Sequence, residues 1–234
     1  MAFADVDRDN RLSLRGVFKL LQEAAIAHAN RFDTGTEAMV TRGQSWVLSR
    51  IGVEISRYPV FGETLRVETW SSGIRAFRGY RDFRIRDAQD RLIVAGSSLW
   101  LFFNVRTQAI IRVPRELAER FPCVPDGVFY PDIESRMVAA VPAASARSMV
   151  SVRYSDVDAN HHVNNTAYLD YLQAALARQG RAPRPGRVFI KYGKGIPEAT
   201  DSVEVALAPS GWDTGFSIEA NGAVCAQGSC GDPP

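Results

Sequence analysis

The sequence predicts an α+β protein built from two similar units in tandem, each a long central helix wrapped by an antiparallel sheet. The first observation behind this is an internal repeat. Sliding the chain along itself sets Ala4–Ala25 on Ser155–Leu176 without a gap, an offset of 151 residues. Asp5, Val6 and Asp7 then meet Asp156, Val157 and Asp158, and Leu21, Gln22 and Ala24 meet Leu172, Gln173 and Ala175. The second observation is that each copy leads into a series of short, β-branched, alternating segments separated by turn signals.

Each copy opens on an Asp-rich stretch of poor helix formers and runs into an amphipathic helix. Leu14, Val17, Phe18, Leu21, Ala25 and His28 keep helical spacing in the first copy, and Tyr168, Tyr171, Leu172, Ala175 and Leu176 do so in the second. Ser13 and either Asn164 or Asn165 suit the N-cap positions, and Gly180 with Pro183 ends the second helix. Strands are expected over 45–55, 64–70, 77–87, 92–103 and 109–113, then over 187–192, 202–208, 215–220 and 223–229. Phe61-Gly62-Glu63 and Asn221-Gly222 mark turns between them. Residues 122–148, rich in Pro, Ala and Ser, read as a linker. The expected organisation is an N-terminal unit over 1–121, the linker, and a C-terminal unit over 149–234.

Composition narrows the function. An apolar share of 46% with 23% charged residues is that of a globular protein. No stretch approaches the roughly 20 apolar residues of a membrane span. MAFADVDRDNR lacks the basic-then-apolar pattern of a signal peptide, so a cytoplasmic location is expected. Cys123, Cys225 and Cys230 form neither a disulfide framework nor a zinc set. The net charge of +2 makes no case for nucleic acid. Of 28 basic residues only Lys19, Lys191 and Lys194 are lysines, and arginine's planar fork suits phosphates and carboxylates.

The two copies differ where chemistry could reside. Asp7, Asp9 and Arg11 become Asp158, Asn160 and His162 in the second copy. In an extended chain alternate residues share a face, so Asp156, Asp158, Asn160 and His162 would project together with His161 opposite. A carboxylate, an amide and an imidazole would then stand before a helix N-terminus whose free N–H groups favour negative charge. That is an acyl-transfer set: a titratable base, an orienting group and oxyanion donors near Val163–Asn165. The competing reading is a polar cap-and-turn network of local Asp and Asn bonds. An EF-hand loop is excluded, because His161 and Ala167 occupy its glycine and acidic positions.

With these residues in hand, the chain resembles the acyl-acyl-carrier-protein thioesterases of bacteria and plants, over nearly its whole length. The most specific part is SDVDANHHVNN (155–165), which is similar to that family's Asp-x-Asn-x-His-Val-Asn-Asn signature. The resemblance implies a double hotdog fold and hydrolysis of a fatty acyl thioester by water, without metal or organic cofactor. Asp158, Asn160 and His162 match the catalytic motif one by one. The family's further glutamate falls on Gly195 or Pro197 according to the anchor used, leaving Glu198 as the neighbouring carboxylate. The general base is therefore His162, Asp158 or Glu198, and a covalent route through an Asp or Cys stays open.

The implied partner is an acyl carrier protein bearing a fatty acyl chain, with neither nucleic acid nor membrane and, at most, a second copy of the chain. Such carriers are strongly acidic in these families, and Arg178, Arg181, Arg184 and Arg187 are the expected docking set. Phe18, Leu21, Trp46 and Leu48 are the candidate walls of an acyl tunnel. The alternatives are a hotdog enzyme acting on acyl-coenzyme A and a non-catalytic acyl-binding protein.

Overall fold

A computed structural model describes residues 1–32, 34, 39, 41–124, 127–143, 145–210 and 213–232. Helix α1 (Leu14–Asn30) is followed by strands β1 (Gln44–Ile55), β2 (Arg66–Arg75), β3 (Arg78–Arg86), β4 (Leu92–Asn104) and the short β5 (Ala109–Ile110). Then come helix α2 (Arg115–Arg120), strand β6 (Ala146–Ser151) and helix α3 (Ala167–Arg178). Strands β7 (Arg187–Tyr192), β8 (Ser202–Ser210), β9 (Asp213–Ala220) and β10 (Ala223–Gly231) complete the chain. Among the described residues no helix is long and apolar enough to cross a membrane.

The chain packs as two compact units. One comprises Met1–Phe18, Glu54–Gly62 and Arg136–Pro234, and is called the α3 unit. The other comprises Lys19–Val53 and Glu63–Ser135, and is called the β2–β4 unit.

In the α3 unit the strand order is β7-β10-β9-β8-β6. Each neighbouring pair is antiparallel. Asn221 and Gly222, both at positive φ (51° and 74°), close the β9–β10 hairpin, the turn their sequence signals. Helix α3 packs on β6, β8 and β9. Its apolar stripe of Tyr168, Leu169, Tyr171, Leu172, Ala175 and Leu176 is buried, against inward residues such as Val203, Val205, Phe216 and Ile218. Burial of each large side chain contributes about 1.5–3 kcal/mol, which is why an apolar helix settles in the curve of a sheet.

The β2–β4 unit pairs β2, β3 and β4 antiparallel, with β5 on β4. Met39, Phe102, Val113 and Leu117 form a cluster there, with Trp46 packed on it. The Trp46 and Phe102 rings lie 4.9 Å apart. Phe18 and Leu21, expected to line a tunnel, are buried core residues, 3% and 1% exposed.

Two elements depart from expectation. Strand β6 begins inside the segment read as linker, and helix α2 falls where no element was expected. Strand β6 presents mostly exposed side chains, Met149 among them, so it carries no apolar alternation to read.

Candidate active site

The stretch expected to be extended is a turn. Tyr154–Asp156 forms a single 3-10 turn, and Val157 then bridges Val163 in antiparallel fashion. Between them Asp158 N–H donates to His162 O at 2.9 Å and His161 N–H to Asp158 O at 3.0 Å. Asn160 N–H donates to Asp158 Oδ1 at 2.8 Å, the side-chain capture two residues on that defines an Asx turn. His161 takes the left-handed conformation, with φ at 58°. The structure thus overturns the same-face expectation: alternation holds in a strand, and a tight turn scrambles it. Asp156 is wholly buried and Asp158 half-buried, while Asn160, His161 and His162 are exposed. The cap-and-turn reading describes the backbone here.

A second segment is laced to this turn. Val163 N–H donates to Ile196 O at 2.9 Å and Glu198 N–H to His161 O at 3.2 Å, with a bridge between His162 and Pro197. Tyr168 O–H accepts from Ile196 N–H at 3.3 Å, and Tyr192 O–H donates to Asn165 O at 3.0 Å. The lacing places Gly195 and Glu198 beside the histidines, one against each. A Cβ at Gly195 would stand 2.8 Å from His162 Cδ2. Glu198 Oε2 lies 2.9 Å from His161 Nδ1, so the carboxylate serves the histidine that the motif does not select. This contact and the charge of Glu198 raise the His161 pKa above its ordinary value.

His162 is oriented by its own turn. Its Nδ1 stands 2.8 Å from Asn160 O. A carbonyl oxygen only accepts, so this assignment puts the proton on Nδ1 and leaves the Nε2 lone pair for a base. Asp158 Oδ2 accepts from Asn164 Nδ2 at 3.2 Å. Asn164 Oδ1 accepts from both the N–H and the hydroxyl of Thr166, at 2.9 and 2.8 Å, so Asn164 organises the start of α3. Ser13 plays the cap role expected of it, accepting from Gly16 N–H at 2.9 Å. Of the expected oxyanion donors, Val163 N–H is taken by Ile196 O and Asn164 N–H by Asp156 O at 2.7 Å. Of those three, Asn165 N–H has no partner among the described residues. Burial pushes the Cys225 thiol up and the Cys230 thiol to about 12, which keeps both protonated and disfavours them as nucleophiles.

The same backbone recurs 151 residues earlier. Asp7 N–H donates to Arg11 O at 2.7 Å, Asn10 N–H to Asp7 O at 3.0 Å and Ser13 N–H to Asp5 O at 2.8 Å. Asp9 N–H donates to Asp7 Oδ1 at 2.9 Å, and Asn10 takes φ 57°. The side chains part company. Arg184 Nε pairs with Asp7 Oδ2 at 2.7 Å and its Nη2 with Asp9. Arginine therefore closes the first turn electrostatically, whereas among the described residues Asp158 has no ion partner.

That pairing bears on the expected docking set. Arg184 is committed to Asp7 and Asp9, and Arg187 to Asp213 at 2.8 Å. Arg178 donates to Met149 O and Arg181 to Thr214 Oγ1 at 2.8 Å. No sequence signal links Arg184 to residues so distant in the chain.

Residues 1–121 match the family profile described as the acyl-ACP thioesterase N-terminal domain, and residues 140–229 that of its C-terminal domain. The chain belongs to the acyl-ACP thioesterase family. Among its relatives is the dodecanoyl-[acyl-carrier-protein] hydrolase of Cinnamomum camphora, 33% identical over 181 residues that cover 72% of this chain and 47% of that protein. The palmitoyl-acyl carrier protein thioesterase of Arabidopsis thaliana is 30% identical, over 72% of this chain and 43% of its own length. The chain thus spans about half the length of the curated relatives it matches. Among solved structures, the 12:0-ACP thioesterase of Umbellularia californica superposes with a TM-score of 0.83 at 21% identity, covering 99% of this chain and 94% of that one. An acyl-ACP thioesterase of Bacteroides thetaiotaomicron gives 0.81 at 20% identity, over 97% and 92%. The fold is the family's double hotdog.

In this thioesterase-family chain Gly195 leaves the His162 ring its room. Gly195→Ala is expected to push the ring from its place and lower turnover several-fold with the overall fold retained. Wild-type kinetics in that variant would show that the ring position is immaterial.

Proposed function

We propose that this chain hydrolyses the thioester joining a fatty acyl chain to acyl carrier protein. The observation that carries the reading is His162 in the family signature, its Nδ1 held by Asn160 O and its Nε2 without a partner among the described residues. In this mechanism Nε2 takes a proton from water as the oxygen attacks the thioester carbonyl. The tetrahedral intermediate then collapses with cleavage of the C–S bond, and the imidazolium returns the proton to the departing thiolate, releasing fatty acid and carrier thiol. Asn160, exposed beside it, orients the water or the carbonyl. Asn165 N–H, at the entrance to α3, receives the developing oxyanion. Asp158, held by Asn160 N–H and the Asn164 amide, fixes the turn that orients His162. No step calls for a metal or an organic cofactor.

The His161–Glu198 contact supports a second assignment within the same reaction, with His161 as base and Glu198 as its orienting carboxylate. For an acidic carrier, exposed Lys194, next to Gly195, joins exposed Arg178 and Arg181, while Arg184 and Arg187 are held in ion pairs. The proposed location is the cytoplasm.

The test is a competition assay. The purified chain is offered acyl-carrier-protein esters from dodecanoyl to palmitoyl together with the matching acyl-coenzyme A esters, and free fatty acid is measured. Higher kcat/KM on the carrier-protein esters is the expected result. Preference for coenzyme A would reassign the substrate, and binding without release of acid would make this an acyl-binding protein.

A further inference from the structure

At the start of α3 the backbone N–H groups are taken in turn, with one exception. Val163 N–H goes to Ile196 O, Asn164 N–H to Asp156 O, Thr166 N–H to Asn164 Oδ1 and Ala167 N–H to Asn164 O at 2.9 Å. Asn165 N–H, in the middle of this run, has no partner among the described residues. Its carbonyl is held from outside the helix. Leu169 N–H, which in a regular α-helix would reach Asn165 O, bonds Thr166 O at 3.2 Å instead. Asn165 O then accepts from the Tyr192 hydroxyl at 3.0 Å.

Tyr192 ends strand β7, and its ring meets that of Tyr168 edge to face, with centroids 5.3 Å apart. Tyr168 is itself only 3% exposed and is tied to Ile196 N–H. The sheet therefore grips Asn165 through a packed aromatic arm. Burial holds the Tyr192 pKa well above its ordinary value, so the hydroxyl stays a donor at any working pH. A donor stabilises a developing oxyanion most when it is already fixed where the charge appears. We propose that Tyr192 is a positioning residue for hydrolysis, clamping Asn165 O and thereby fixing the aim of Asn165 N–H. This role rests on the hydrolysis proposed above and on Asn165 N–H as its oxyanion donor.

The test compares wild type with Tyr192→Phe on a dodecanoyl-carrier-protein ester. Phenylalanine keeps the ring and its contact with Tyr168 and removes the hydroxyl. The oxyanion forms only during reaction, so kcat and kcat/KM should fall together by roughly 10–10²-fold, with KM nearly unchanged. The pH profile should keep its position, because the turn that orients His162 is untouched. Asn165→Pro deletes the N–H and keeps the carbonyl. Adding Tyr192→Phe to it should cost less than about twofold more, as for two residues acting through one donor. The proposal is overturned if Tyr192→Phe turns over within about twofold of wild type, if KM rises while kcat holds, if the pH profile moves, or if the two losses multiply. A wild type that leaves the ester intact overturns the proposed hydrolysis and this role with it, whereas an active wild type matched by Tyr192→Phe overturns this role only.

Discussion

His162→Ala is expected to lower turnover of an acyl-carrier-protein thioester by about 10²–10⁴-fold, the usual loss on removing a positioned base. The side chain is exposed and its one polar contact lies within its own turn, so the protein should remain folded. His161→Ala is the matched comparison. Its ring is 78% exposed and reaches Glu198, so under the proposed mechanism its loss should leave most of the activity. Comparable loss in both variants, or loss in the His161 variant alone, would transfer the role to the His161–Glu198 pair.

Asp156→Ala should produce the largest loss of stability. The carboxylate is fully buried and accepts from Arg153 N–H at 3.0 Å, Arg153 Nε at 3.1 Å and Tyr171 O–H at 3.0 Å. Its Oδ1 also meets Arg153 Nη2 at 2.9 Å and Arg15 Nη1 at 3.0 Å. Both arginines continue to Asp170, at 2.6 and 2.8 Å, so two carboxylates hold two guanidinium groups together. Alanine would strand the Tyr171 hydroxyl and leave Asp170 alone against both cations. Removing a buried, hydrogen-bonded acceptor whose guanidinium partners are part-exposed costs about 1–3 kcal/mol, against a total stability of about 5–15 kcal/mol for an ordinary domain. Urea unfolding at neutral pH is the measurement, and a shift below about 1 kcal/mol would contradict it.

The same residue sets an acid limit. Burial alone would raise the Asp156 pKa, but the Arg153 hydrogen bonds and charge outweigh it and hold the group below its ordinary value. A depressed carboxylate contributes stability above its unfolded pKa of about 3.9 and loses it as pH falls through the folded value. Wild type should therefore lose stability below about pH 4 through this group, while Asp156→Asn lacks that component.

Much of the architecture was readable because its signals are periodic. Strand β7 has the bounds its apolar run implies, and the copies align because matching residues occupy matching backbone positions. The edge strand β6 was not readable, since its side chains are largely solvated. At the site, residue types were legible and their geometry was not. Period-two reasoning presumes extension, whereas Asp158 captures the N–H of Asn160 and His161 turns left-handed. Glu198 was found as the nearby carboxylate, but only the lacing of 195–198 onto the turn decides which histidine it meets.

The clasp between Arg184 and the Asp7–Asp9 turn has a consequence for how the protein is made. Its ends lie 177 and 175 residues apart in the chain. Two further bonds tie the same region to the neighbouring residues of the last third, Tyr58 O–H to Pro185 O and Ile55 N–H to Gly186 O, each 2.7 Å. On a ribosome adding roughly 5–20 residues per second, the N-terminal segment waits about 10–35 seconds for Arg184 to emerge. Leu14, Val17 and Phe18 belong to the compact unit that residues 136–234 complete. Contacts of such long range slow folding and leave apolar surface open to association. Completion of this unit therefore waits on the last third of the chain.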